Sequence, residues 1–392
     1  MNRRFFLRGA VLLGCSTAAH PMMTSVTLAE GGRVLGENRL VVVILRGAMD
    51  GLDALRPLGD PLLASYRPTL GLREGTLDLD GFYALNQGLG GLLPLWATGE
   101  LGFVQATSTP YRDKRSHFVG QDMLEAGTGM DVPLPGDGWL NRMLQAVPGL
   151  RAETAFAVGA EELAILHGAA PTRSWAPDTM LDLSPQARLL FEQVYHDDPL
   201  FQAAGAQALE LSATDMGATE SGMAGPGKMR GLDELTDFTA GRLLDETRIA
   251  AFSMPGWDTH RAQQRALPKS LQGLERVILR LREQLGAAVW GKTTLLAMTE
   301  FGRTARENGS GGTDHGTAGV MLVAGGAVKG GRVLGRWPGL ADLYQGRDLM
   351  PTSDVRAWAA HAMRGLYGLD RSVLEGAVFP GMQMGDDPGL LR

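Results

Sequence analysis

Two short segments hold most of the residues whose types and spacing suit chemistry. "GWDTH" supplies Asp258 and His260, and "TEFGRTARENGSGGTDHG" supplies Glu300, Arg303, Arg306, Asp314 and His315. Carboxylate oxygens and imidazole nitrogens are ligands for zinc, manganese and other divalent ions. An ion held by them neutralises a bound anion or lowers the pKa of a water. A third segment, "YRDKRSHF", places Tyr111, Arg112, Lys114, Arg115, Ser116 and His117 together, and Asp50 and Asp53 follow an early apolar run. Each motif taken alone has a structural reading beside the chemical one. Asp258 fits a helix cap followed by a surface His260. Asp314 and His315 fit a glycine-rich turn, Glu300 and Arg303 a structural ion pair, and Asp50 a helix cap. Ser116 fits a cap or a nucleophile activated by a metal and a helix N-terminus. The basic residues Arg112, Lys114 and Arg115 fit an anion site or a solvated loop. What favours a metal site is that such residues recur at several strand ends.

The elements that must position them alternate between strand and helix. Leu40 to Leu45 is a continuous apolar, β-branched run, the mark of a strand covered on both faces. Further strands are expected at Leu101 to Thr107, Thr154 to Ala160, Arg248 to Met254, Thr293 to Thr299 and Val320 to Gly326. Helices are expected at Leu89 to Ala97, Ser116 to Gly127, Ser270 to Gly286 and Asp354 to Gly368. The third of these spaces Leu271, Leu274, Val277, Ile278, Leu281 and Leu285 along one face. Pro185 to Leu244 leans helical and is interrupted by the Gly-, Ser- and Met-rich stretch Gly217 to Met229. The pattern predicts an α/β fold, a three-layer α/β/α sandwich on a mostly parallel sheet. In such folds ligands bind beyond the carboxyl ends of the strands, where the acids and histidines above fall. His167, His196 and His361 have no such context and read as core or surface residues.

The chain has 392 residues and a net charge of -6, which gives no support for nucleic-acid binding. Its single cysteine, Cys15, excludes an internal disulfide and a thiolate zinc cluster. No stretch approaches the length of a membrane span. The opening run Arg3-Arg4-Phe5-Phe6-Leu7-Arg8 matches the twin-arginine export pattern, with cleavage expected after Ala29. The expected organisation is therefore a signal peptide over 1–29 and a single domain over 30–392 with a helical, loop-rich insert around 185–244. The export machinery is the implied partner, and the periplasm or the exterior the destination. Leu12-Leu13-Gly14-Cys15 also has the form of a lipid-attachment site, although the apolar run before it is short.

Four stretches together, "LVVVILRGAMDGLDALRPLGDP", "RSHFVGQDMLEAG", "GWDTH" and "TEFGRTARENGSGGTDHGTAGVMLVAGG", resemble the bacterial family known as domain of unknown function 1501. That family looks related to the alkaline phosphatase and sulfatase superfamily, and the resemblance implies an alkaline-phosphatase-like sandwich. It implies metal ligands at Asp50, Asp258, His260, Glu300 and His315 and a nucleophile at Ser116. With the residue pattern above, Asp314 joins the expected ligands of a divalent ion such as zinc, manganese or calcium, and Arg115 and His117 join Ser116 in the expected catalytic set acting on a small anionic ester. Phe301 stands where the superfamily has a further His ligand, and the sulfatase Cys-x-Pro-Ser-Arg signature is missing. The function implied is an exported, metal-dependent hydrolase of phosphate or sulfate esters; the alternative is a non-catalytic binding or assembly protein on the same fold.

Overall fold

Arg39 to Arg46 forms strand β1, and its side chains alternate between two apolar clusters. Val41, Val43 and Leu45 pack into one cluster, and Leu40, Val42 and Ile44 into the other. Burial on both faces is what an unbroken β-branched run requires, and it makes β1 the middle of a three-layer α/β/α sandwich. The computed structural model describes residues 35–392 apart from 73, 113, 132–135, 160, 162 and 177–225, with the backbone alone described for 226–229. The expected leader, Cys15, His196 and most of the insert expected around 185–244 lie outside the described residues.

The other strands are β2 (Leu55–Arg56), β3 (Thr76–Asp78), β4 (Ala84–Asn86), β5 (Leu101–Ser108), β6 (Ala155–Val158), β7 (Arg173–Trp175), β8 (Ile249–Pro255), β9 (Thr293–Met298), β10 (Gly319–Ala324), β11 (Val333–Leu334) and β12 (Ser353–Asp354). The large sheet has the order β11-β5-β10-β9-β1-β8-β6-β7, with β12 paired to β5. Every pairing in it is parallel except the two made by β10, which runs antiparallel to β5 and β9. That reversal matters for the site. The start of β10 lies at the same rim as the ends of β1, β5, β8 and β9, so the loop entering β10 meets the loops leaving the others. A small antiparallel sheet, β2-β4-β3, stands apart and has no signal in the sequence reading, because its strands are only two or three residues long.

Helices α1 (Gly51–Ala54), α2 (Leu63–Tyr66), α3 (Leu93–Ala97), α4 (His117–Ala126), α5 (Trp139–Gln145), α6 (Pro226–Leu244), α7 (Gln263–Trp290) and α8 (Val355–Tyr367) complete the frame. α4 ends at Gly127, whose φ of 66° is the left-handed geometry that glycine supplies at a helix end. α8 opens on Asp354, whose side chain accepts from the Arg356 N–H. The expected helix from Leu89 is shorter: residues 87–92 are a 3₁₀ turn and only 93–97 are α-helical. α7 starts earlier than its apolar spacing foretold, at Gln263, and runs through Pro268; Gly286, with φ 64° and ψ 170°, kinks it where the spacing ends, and a last short helical stretch reaches Trp290.

The apolar face of α7 is buried along its length: Leu271, Leu274, Val277, Ile278 and Leu281 are fully covered. Replacing Leu281 by Ala is expected to cost about 2–5 kcal/mol through lost contacts and the cavity left behind. Urea denaturation of the purified protein measures it.

Candidate metal centre

The centre is assembled by loops that approach very closely. Gly47, directly after β1, has φ +118°, and a Cβ there would stand 2.6 Å from the Asp258 amide nitrogen. A Cβ on Gly302 would stand 1.8 Å from the Ala318 carbonyl oxygen. Only glycine allows these backbones to cross. Between them lies the Arg303 side chain, fully buried. Its Nε donates to the Ala48 carbonyl at 2.7 Å. Nη1 donates to the Thr313 carbonyl at 3.1 Å. Nη2 reaches the Gly47 and Trp257 carbonyls and Asp258 Oδ1, the last at 2.6 Å.

Three imidazoles close on Asp258. His117 Nε2 lies 3.4 Å from Asp258 Oδ2. His260 Nε2 lies 3.0 Å and His315 Nε2 3.4 Å from Asp258 Oδ1. The Nε2 atoms of His260 and His315 are 2.9 Å apart. Ligand atoms of His117, Asp258 and His315 all fall within 4.8 Å of one another. His117 Nε2 is buried and has no hydrogen-bond partner, so its approach to Asp258 is one of charge without hydrogen-bond alignment.

The partner of each Nδ1 fixes the tautomer. His315 Nδ1 lies 2.8 Å from the Arg115 carbonyl, which only accepts, so this nitrogen carries the proton. His117 Nδ1 lies 2.8 Å from Glu300 Oε1, and His260 Nδ1 3.1 Å from Asp314 Oδ1, so these also donate. In their neutral forms all three rings therefore turn bare Nε2 lone pairs toward one another and toward an acceptor-only carboxylate. Two lone pairs 2.9 Å apart repel unless a cation or a proton stands between them. A tetrahedral zinc ion with bonds of ~2.0 Å would set two ligand atoms roughly 3.3 Å apart, a small opening from what is seen. Imidazoles whose second nitrogen is held by a carboxylate or carbonyl are the usual surroundings of a metal ligand. The donor set thus fits a divalent ion.

The charges are tuned accordingly. The hydrogen bond that His117 donates to Glu300 raises its imidazole above its ordinary pKa, against burial and with help from the charges of Glu300 and Asp258. Burial pushes His315 down, and the charges of His117 and Arg303 push the same way. Burial would raise Asp258, but the Arg303 hydrogen bond and charge, then His260 and His117, hold it below the usual carboxylate range. Burial would likewise raise Glu300; His117 is the strongest of the partners that keep it ionised.

The structure therefore sorts the residues foreseen from sequence. Asp258, His260, Asp314 and His315 come together with His117, which the sequence placed in the catalytic set. Glu300 is fully buried and turned to the back of His117; it also accepts from the Gly47 amide, Gln121 and Thr299. It is a positioning group where a direct ligand was expected. Asp50 is not brought to the cluster. One oxygen caps α1 through the Leu52 amide, and the other takes Arg67 at 2.7 Å and Gln263 at 2.6 Å. Arg115 is spent on Asp348, and Arg112 on the Ser108 hydroxyl and the Thr109 and Tyr111 carbonyls. Ser116 sits at the cap position of α4 but its hydroxyl makes no capping bond; its amide donates to the Tyr111 hydroxyl at 3.0 Å. Phe301 is a wall of the site, stacked on His117 at 5.2 Å and 5.3 Å from His315. The signal for His117 was its place at the first turn of a helix that follows a strand.

The Asp50–Arg67 pair separates a structural acid from a ligand. Both side chains are buried, so Arg67→Met leaves Asp50 without its countercharge and is expected to cost about 3–5 kcal/mol. The variant that folds is expected to match the parent in metal content, as read by denaturation and by elemental analysis.

Residues 117–364 of the chain match the family described as "Protein of unknown function (DUF1501)". No curated protein matches the sequence. Among solved structures, the chain is similar to Ps i-CgsB in complex with k-i-k-neocarrahexaose, at 8% identity and a TM-score of 0.41, covering 87% of this chain and 75% of that one. It is similar to a protein in the alkaline phosphatase superfamily from Vibrio parahaemolyticus, at 12% identity and a TM-score of 0.40, covering 85% and 67%. It is also similar to the C-terminal periplasmic domain of EcEptC from Escherichia coli, at 11% identity and a TM-score of 0.39, covering 91% and 89%. These superpositions are too loose to carry a residue or an activity across. The sequence match extends over well more than half of the 392 residues, and the chain belongs to the DUF1501 family of proteins of unknown function.

Proposed function

We propose that the chain is an exported, metal-dependent hydrolase of phosphate or sulfate esters, built as one domain over residues 30–392. The observation that carries this reading is the convergence of three bare Nε2 atoms on Asp258, each ring fixed from behind. His117, Asp258 and His315 hold the ion, with His260 beside them and zinc, manganese or calcium as the ions considered. A divalent ion bound there supplies Lewis-acid polarisation of an ester oxygen and a lowered pKa for a bound water. Glu300 and the Arg115 carbonyl keep His117 and His315 in register, and Arg303 offsets the charge of Asp258. The Ser116 hydroxyl, free of a capping bond at the start of α4, is the protein nucleophile in this reading. The export assignment rests on Arg3-Arg4-Phe5-Phe6-Leu7-Arg8 alone. No helix among the described residues is long and apolar enough to cross a membrane.

A non-catalytic binding protein is the second reading, and Phe301 favours it. An aromatic ring fills the wall of the site beside two histidines, narrowing the space for a second ion. Elemental analysis of the purified protein, followed by assays with aryl phosphates and aryl sulfates, separates the two. One ion per chain is expected, lost in the double variant His117→Ala with His315→Ala. Glu300→Gln is expected to weaken metal affinity about 10–100-fold while the fold is kept. A protein that takes up no ion and leaves both ester classes intact supports the binding reading.

A further inference from the structure

Beside the metal centre stands a guanidinium with few commitments. Arg347 follows Gly346 in the turn between Tyr344 and Asp348, and its side chain is 42% exposed. Its Nη2 donates to the His315 carbonyl at 2.8 Å, which ties it to the backbone of a metal-site residue. Its Nη1 lies 3.3 Å from Asp348 Oδ1, yet that oxygen is buried with no hydrogen-bond partner. The contact is one of charge only. Asp348 Oδ2 is meanwhile filled by Arg115 and the Thr317 hydroxyl. A guanidinium carries five N–H donors in a fork suited to two oxygens of one anion. Arg347 uses one of them in a hydrogen bond, whereas Arg303 is fully buried among backbone carbonyls and Asp258, and Arg112 and Arg115 are bound elsewhere.

We propose that Arg347 is the substrate anchor of this site, its guanidinium binding the non-reacting oxygens of a tetrahedral oxyanion presented to the metal centre. The assignment rests on the hydrolase reading and adds the residue that selects an anionic substrate. It replaces Arg112 and Arg115, the sequence-based candidates for that role.

The test titrates the zinc-loaded full chain with inorganic phosphate and with sulfate by calorimetry. Arg347→Ala is expected to weaken whichever anion binds better at least tenfold and to keep its zinc. Arg347→Lys recovers part of the loss, since lysine supplies the charge without the fork. With p-nitrophenyl phosphate or sulfate, KM rises more than kcat falls. Equal anion affinity in the parent and in Arg347→Ala overturns the proposal, as does loss of zinc from Arg347→Ala, which would make the residue a support for His315. Should the parent take up none of zinc, manganese and calcium, the hydrolase reading fails, and the same titration of the metal-free chain decides on Arg347. A tenfold loss upholds the anchor; no anion binding, or no change, overturns it.

Discussion

The buried guanidinium of Arg303 is the constraint on which the site depends. It gathers the carbonyls of Gly47 and Ala48 after β1, Trp257 after β8 and Thr313 before β10, and adds the Asp258 carboxylate. No other interaction described joins so many of the loops at this rim. Arginine suits the task because its fork donates in several directions at once and keeps its charge when buried. Each carbonyl it serves would otherwise be a buried acceptor without a partner, at a cost of about 1–3 kcal/mol. The same side chain sets the chemistry of Asp258, which stays ionised although half covered.

Chain direction does as much as side chains. In an all-parallel sheet, a residue just before a strand lies at the opposite rim from residues just after the others. β10 escapes this because it is antiparallel to both neighbours. His315 can then meet Asp258 and His117, which follow parallel strands. The histidines come from three separate segments, two loops and the first turn of α4, so packing of the whole sandwich fixes their separation. A rigid frame of this kind holds repelling lone pairs together in a way that a flexible peptide would not.

The layers were legible in the sequence because both faces of the sheet are apolar, and continuous β-branched runs such as Leu40 to Leu45 have few other uses. The apolar face of α7 was legible for the same reason, whereas its start, ahead of Pro268, was not, because local propensity argues against it. The site was legible as a set of residue types at strand ends. What sequence could not supply was the direction of each side chain. Glu300 and Asp50 are both acids after parallel strands, yet one backs a histidine and the other closes on Arg67. That choice is made by residues distant in sequence: Arg67 lies 17 positions from Asp50, and His117 183 positions from Glu300. Phe301 shows the same limit. Its type excludes a ligand, but its stacking on His117 appears only in three dimensions.

Two kinds of acid therefore lie at this rim, distinguished by their partners. Asp50 and Asp53 are buried against Arg67, Arg56 and Gln263, and their charge is met inside the fold. Asp314 and Glu300 face imidazoles, and Asp258 faces both an arginine and imidazoles. An arginine partner is a fixed cation and finishes the electrostatic problem on folding. An imidazole passes it on, since fixing a proton on Nδ1 leaves a lone pair on Nε2 to be answered by something else. The Asp50 group can be complete without a ligand. The Asp258 group is balanced only when a cation or a proton joins it, and this asymmetry, more than the count of acids and histidines, sets the histidine cluster apart from the other acids at this rim.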